Sequence, residues 1–134
     1  MANALFDHAR QSFLEGGLAY LTDNVKAALI TSGYTPNLAT HQFLTDLGAN
    51  VLGTAVALTS KTSTAGVANA ANVTFTSVPA GTVNYIALYK DTGTGATSNL
   101  IALIDTAGGL PITVASGGNV VVAWDTGPLA ILKL

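Results

Sequence analysis

Cysteine is absent from the sequence. Disulfide bonds, thiolate nucleophiles and cysteine-ligated metals are therefore excluded. Charge is nearly as scarce: charged residues make up 9% of the chain, against roughly 25% in typical soluble globular proteins. The five cations, Arg10, Lys26, Lys61, Lys90 and Lys133, are scattered singly. Nucleic-acid binding draws on clustered cations that displace counterions from phosphates, so no nucleic-acid partner is expected. No apolar run approaches the roughly 20 residues that span a bilayer, and no basic segment followed by an apolar one opens the chain. Neither membrane insertion nor secretion is expected. His8 and His41 are the only histidines, and neither has a second ligand at helical or finger spacing, so no metal site is assigned.

What remains is apolar residues and threonine. Hydrophobic residues form 49% of 134 positions, and eighteen threonines supply part of the polar coat. That length suits one domain, 1–134, with a continuous core. So few charges also suit a subunit partly covered by copies of itself or by a partner.

The opening reads as a helix over residues 4–15. Asn3 is its expected cap, Leu5, Phe6, Ala9 and Phe13 lie on one side, and Gly16 and Gly17 end it. A helix this short is marginal alone and must dock, so residues 1–16 form either a cap on the domain's own sheet or an arm on a neighbouring subunit. Leu5, Phe6 and Phe13 are the candidate interface residues. A second short helix is read at 40–47, with Thr40 as cap and Gly48 as terminator.

Strands are expected at 25–30, 51–59, 73–78, 83–89, 100–105, 120–124 and 129–132, which are rich in β-branched and aromatic residues. Pro79, Gly81, Gly93, Gly95, Gly108, Gly109, Gly117 and Gly118 mark the turns between them. Val73 and Phe75 alternate with threonines, as in a strand with one wet face, whereas 85–89 and 100–104 are apolar on both faces and need cover on two sides. The Ala-rich stretch 64–72 reads as an extended loop and a candidate contact segment. The expected fold is mainly β, an antiparallel sandwich or barrel with a short N-terminal helix.

Catalytic signals are thin. Asp-Thr-Gly occurs at 91–93 and 125–127, the tripeptide around the paired carboxylates of aspartic proteases. Too little chain separates the copies for two lobes, and Asp-Thr-Gly after a strand is more simply a turn. The loop at 91–95 offers one carboxylate where calcium sites gather several, and it lacks the Gly-Lys-Ser/Thr of a P-loop. Tyr85, Tyr89 and Trp124 fall on expected strands. Stacking on sugars is their functional reading and core packing their structural one. No catalytic residue and no cofactor is assigned.

The residues also carry a resemblance. The opening Met-Ala-Asn-Ala-Leu-Phe-Asp-His-Ala-Arg, the stretch 24–30 and the stretch 34–44 resemble a family of small tailed-phage virion proteins. The likeness continues through 73–78, 86–93, 100–111, Trp124, Asp125 and 131–134, and so covers nearly the whole chain. It implies a non-enzymatic virion component, foremost a capsid decoration or cement protein on the head lattice. Its partner would be the major capsid protein or another virion protein. Tail, collar and fibre-associated roles remain alternatives, as does a carbohydrate- or receptor-binding module. The resemblance also implies a homo-oligomer, with a trimer favoured. His41 and Asp105 stand at positions of the family pattern without any chemical role to carry over.

Overall fold

The computed structural model describes residues 4–105, 110–124 and 131–133. Asn3, Gly108, Gly109, the second Asp-Thr-Gly and residues 129 and 130 of the last expected strand lie outside them. The fold is mainly β, with antiparallel sheets and a short N-terminal α-helix.

The main sheet is organised around β7 (Gly81–Lys90). Along one edge β7 pairs with β2 (Val25–Thr31), which in turn pairs with β3 (Val51–Ala57). Two strands share the other edge: β8 (Leu100–Ile104) pairs with residues 86–89, and β9 (Ile112–Val114) with residues 81–83. All five residues of β8 are buried, as are residues 27–30 of β2 and 86–89 of β7. The two-sided apolar pattern thus marks the centre of the sheet, where both faces are covered.

A second ladder joins β6 (Val73–Val78) and β10 (Gly118–Val122). Val73, Phe75, Val120 and Val122 point into the same hydrophobic cluster as the main sheet, while Thr74, Thr76 and Val121 face out. Alternation breaks at Ser77, whose φ of 51° accompanies a bulge between the Val78 and Phe75 rungs. The end of β6 packs on β3: a Cβ on Gly53 would lie 3.5 Å from the Pro79 ring.

The N-terminus differs from expectation. Residues Ala4–Leu5 are strand β1, paired to the outer edge of β8, and the helix α1 is shorter, Asp7–Glu15. Phe6 occupies the cap position without a side-chain cap; its own N–H donates to Ile101 O at 3.0 Å. The edge of a fully buried strand needs hydrogen-bond partners, and β1 supplies them at the expense of the helix's first turn. Asp7 N–H then donates to Leu38 O, and Gly16, with φ of 80°, ends α1 in the left-handed conformation.

Two further expectations are corrected. The short helix read at 40–47 is a 3-10 segment shifted to Leu44–Asn50, with Gly48 breaking it at φ 61°; ahead of it, in place of a Thr40 cap, the Asn37 carboxamide accepts the N–H groups of Ala39 and Thr40. Asp46 holds the segment's start by accepting the N–H groups of Gln42 and Phe43 at 2.7 and 2.8 Å. The stretch 64–72 is loop only at 70–72. It contributes to a hairpin of β4 (Thr62–Thr64) and β5 (Val67–Asn69), whose turn residues Ala65 and Gly66 both have positive φ, as a two-residue type I′ turn requires. β11 (Leu132–Lys133) pairs with β5 and completes a small three-stranded sheet.

Candidate functional site: an apolar surface groove

Leu5 and Phe6, two of the three candidate interface residues, lie in the chain's own core; Phe6 is fully buried. Leu5 pairs with Ala102 and the Phe6 N–H donates to Ile101 O, which lays this segment along the buried strand β8. Phe13 is different. Half-buried on the last turns of α1, it forms one wall of a groove of about 350 Å³.

The groove has a simple construction. Its floor includes one rung of the small sheet, because Ser63, Ala68 and Leu132 sit opposite one another across β4, β5 and β11. The turn at residues 19–22 contributes Tyr20 and Leu21 to the lining. That turn is closed by Asp23, whose carboxylate accepts the Ala19 N–H at 2.8 Å and takes an ion pair from Lys90 at 3.4 Å. The Tyr20 hydroxyl donates to Asn69 O, tying the turn to β5, and burial pushes its pKa up to about 12. Among the described residues no charged side chain lines the groove.

Its surroundings include exposed apolar side chains. Leu14 is 89% exposed and Leu21 51% exposed. On an α-helix Leu14 lies about 140° around from Ala9, the helix's buried residue, so it faces solvent while Phe13 faces the groove. Helical phase was the signal for Leu14. Leu21 and the rung beneath it had none, since they meet only through the fold.

Lys61 stands at the rim. Its ammonium lies 5.7 Å from the centre of the Tyr20 ring and donates to Asp23 O. Glu15, at the end of α1, accepts a hydrogen bond from Gln11 at 2.9 Å. Among the described residues, neither Lys61 nor Glu15 has an ion-pair partner.

The other residues singled out by sequence have structural environments. Asp91 forms the expected turn: Oδ1 accepts the Gly93 N–H, and Oδ2 pairs with Lys26 at 2.9 Å. The Lys26 ammonium and the Gly93 N–H hold its carboxyl below the usual range. His41 Nδ1 lies 2.6 Å from the Tyr34 hydroxyl, and burial raises the Tyr34 pKa to about 12. Tyr89 and Trp124 are buried, and the Trp124 indole donates to Ala71 O at 3.0 Å. Tyr85 is half-buried and meets Tyr34 edge-on. Among the described residues no group of three or more His, Asp or Glu could hold a metal ion. None of their helices is long and apolar enough to cross a membrane.

No family model, curated protein or solved structure matches this chain. The groove is therefore read from its own chemistry. Its apolar lining, the hydroxyls of Thr22 and Ser63, and exposed leucines suit dry contact with another surface more than proton or group transfer.

Proposed function

We propose that this chain is a non-enzymatic structural subunit of a tailed-phage particle, a decoration protein that binds the head lattice and stabilises it. The observation that carries the contact role is the apolar groove, lined by no charged side chain among the described residues, with Leu21 exposed on its wall and Leu14 exposed beside Phe13. The particle setting is supported by the residue resemblance along the chain. Adhesion of this kind needs no catalytic group: many modest apolar contacts, repeated over a lattice, raise effective concentration and slow release. The charge-poor surface fits a subunit that works within an assembly.

The finer architecture is proposed to be barrel-like. From β7 the strands run through β2 and β3 to β6, which packs on β3, then to β10 and by the short 115–117 turn to β9, which pairs again with β7.

Co-sedimentation of the purified chain with undecorated phage heads tests the reading, with cryo-electron microscopy locating the bound subunit. Saturable binding at repeated lattice positions is expected. Density confined to tail, collar or fibre would replace the decoration role by one of those. Glycan binding without particle binding would replace it by a carbohydrate-binding module.

A further inference from the structure

We infer that the groove is occupied by the end of α1 from a second copy of this chain, in a two-fold pair. Leu14 would enter the groove and Glu15 would meet Lys61. The inference rests on the reading of the groove as a contact surface, and not on any particle.

Three observations select this occupant. First, the chain presents a side chain of the required kind: Leu14 is a large apolar residue almost wholly exposed. An apolar cavity of about 150 Å³ accommodates benzene, so the groove, at about 350 Å³, has room for a leucine side chain. Second, charge is complementary. Lys61, beside the Tyr20 wall, is a cation lacking a carboxylate among the described residues, and Glu15, next to Leu14, is a carboxylate lacking a cation there.

Third, the projecting leucine and the groove are neighbours. Phe13 lines the groove and Leu14 follows it on the same turn of α1. A two-fold contact uses one patch on both subunits and makes every contact twice, which requires projection and recess to lie side by side. The pair would bring Phe13, Leu14 and Leu21 of both copies around the axis. This differs from the trimer that the resemblance implies, which would join two different patches in a ring.

Sedimentation equilibrium on the full chain tests it, with circular dichroism confirming the fold of each variant. Wild type is expected to dimerise. Leu14→Ser, at an exposed position, should leave the fold intact and raise the dimer Kd by about tenfold or more. Glu15→Lys and Lys61→Glu should each be monomeric, because each places like charges together twice. Mixing those two variants should restore a dimer, since both contacts in the mixed pair are again opposite in charge. Recovery on mixing separates a specific contact from a folding defect. Wild type that stays monomeric at its highest soluble concentration would overturn the inference. So would a trimer, an unchanged Kd for Leu14→Ser, or folded Glu15→Lys and Lys61→Glu variants that do not pair. Particle binding by a monomeric wild type would overturn the pair while leaving the decoration role standing.

Discussion

The central strands β2, β7 and β8 and the small sheet β4–β5–β11 are both antiparallel, yet they sit at opposite ends of a burial scale. In the centre, Leu29, Ile86, Leu88, Leu103 and Ile104 are fully buried, with pairing on both edges of β7 and β8. In the small sheet every residue of β4 is exposed, and only Ala68 of β5 is buried. The same backbone pairing thus serves two ends. Where both faces are covered it forms the buried frame, and where one face is left partly open it lines the groove.

The largest expected effect lies in the frame. Leu103→Ala, deleting buried side-chain volume where neighbours cannot collapse, should cost about 2–5 kcal/mol, and Phe6→Ala about 3–5 kcal/mol. Leu21→Ala, on the groove wall, should stay within about 0.5 kcal/mol of wild type in the monomer. Urea denaturation measures all three. Equal losses at Leu103 and Leu21 would erase the distinction between buried frame and groove wall.

Alkaline pH reaches both regions through tyrosine. Tyr20 beside the groove and Tyr34 beside the main sheet have pKa values raised by burial to about 12, against an ordinary value of 10.0. The unfolded chain ionises first. The stability contributed by the neutral phenols is therefore complete below pH 10 and falls as pH rises towards 12. Phenolate absorbance during titration should show Tyr20 and Tyr34 ionising late, and Tyr20→Phe should remove one late step.

Asp46→Ala comes next, at about 1 kcal/mol, because it strands the N–H groups of Gln42 and Phe43. Those two donors hold the Asp46 carboxyl below the usual range, as Lys26 and Gly93 do for Asp91. Both carboxylates favour the folded state above the ordinary carboxylate pKa, and that contribution is lost as pH falls through their folded values. Acid titration of stability in wild type and Asp46→Ala should therefore converge below that range.

The smallest effect should be a gain. Ala65 holds a φ of 51° in the β4–β5 turn, a conformation that glycine adopts without a Cβ clash. Ala65→Gly should stabilise the chain by about 0.5 kcal/mol, the relief exceeding glycine's extra unfolded-state entropy. Thermal denaturation would show it as a small rise in Tm. A loss would mean that the turn tolerates alanine without strain.

How much of this was legible follows the same division. Strand 73–78 stands as read, down to Val73 and Phe75 inward and the threonines outward, because period-two alternation is a local signal. The strands at 25–30, 83–89 and 100–105 are found within a residue or two. The β4–β5 hairpin was not legible, since Thr-Ser-Thr and Val-Ala-Asn carry little apolar alternation and Ala-Gly is a weak turn signature. β1 was hidden inside a helical pattern, and β9 is a three-residue strand defined only by its pairing with β7.

For the site, sequence reached Phe13 and, as a candidate contact segment, the stretch 64–72 that holds Gly66 and Ala68. Leu21, Ser63, Ala68 and Leu132 are distant in the chain and meet only in the fold. Lys61 reads as one of five scattered cations until its ammonium is seen over the Tyr20 ring.

The sequence by itself determined that this chain is mainly β, poor in charge and without cysteine chemistry, because composition and short-period patterning act over a few residues. Tertiary structure decided which apolar residues became core and which became surface. Leu5, Phe6 and Leu14 are near neighbours on one N-terminal segment, yet the first two are buried, on the segment that lies along the buried strand β8. Leu14 stayed in solvent because α1 docks through Ala9, and Leu14 lies about 140° around the helix from it.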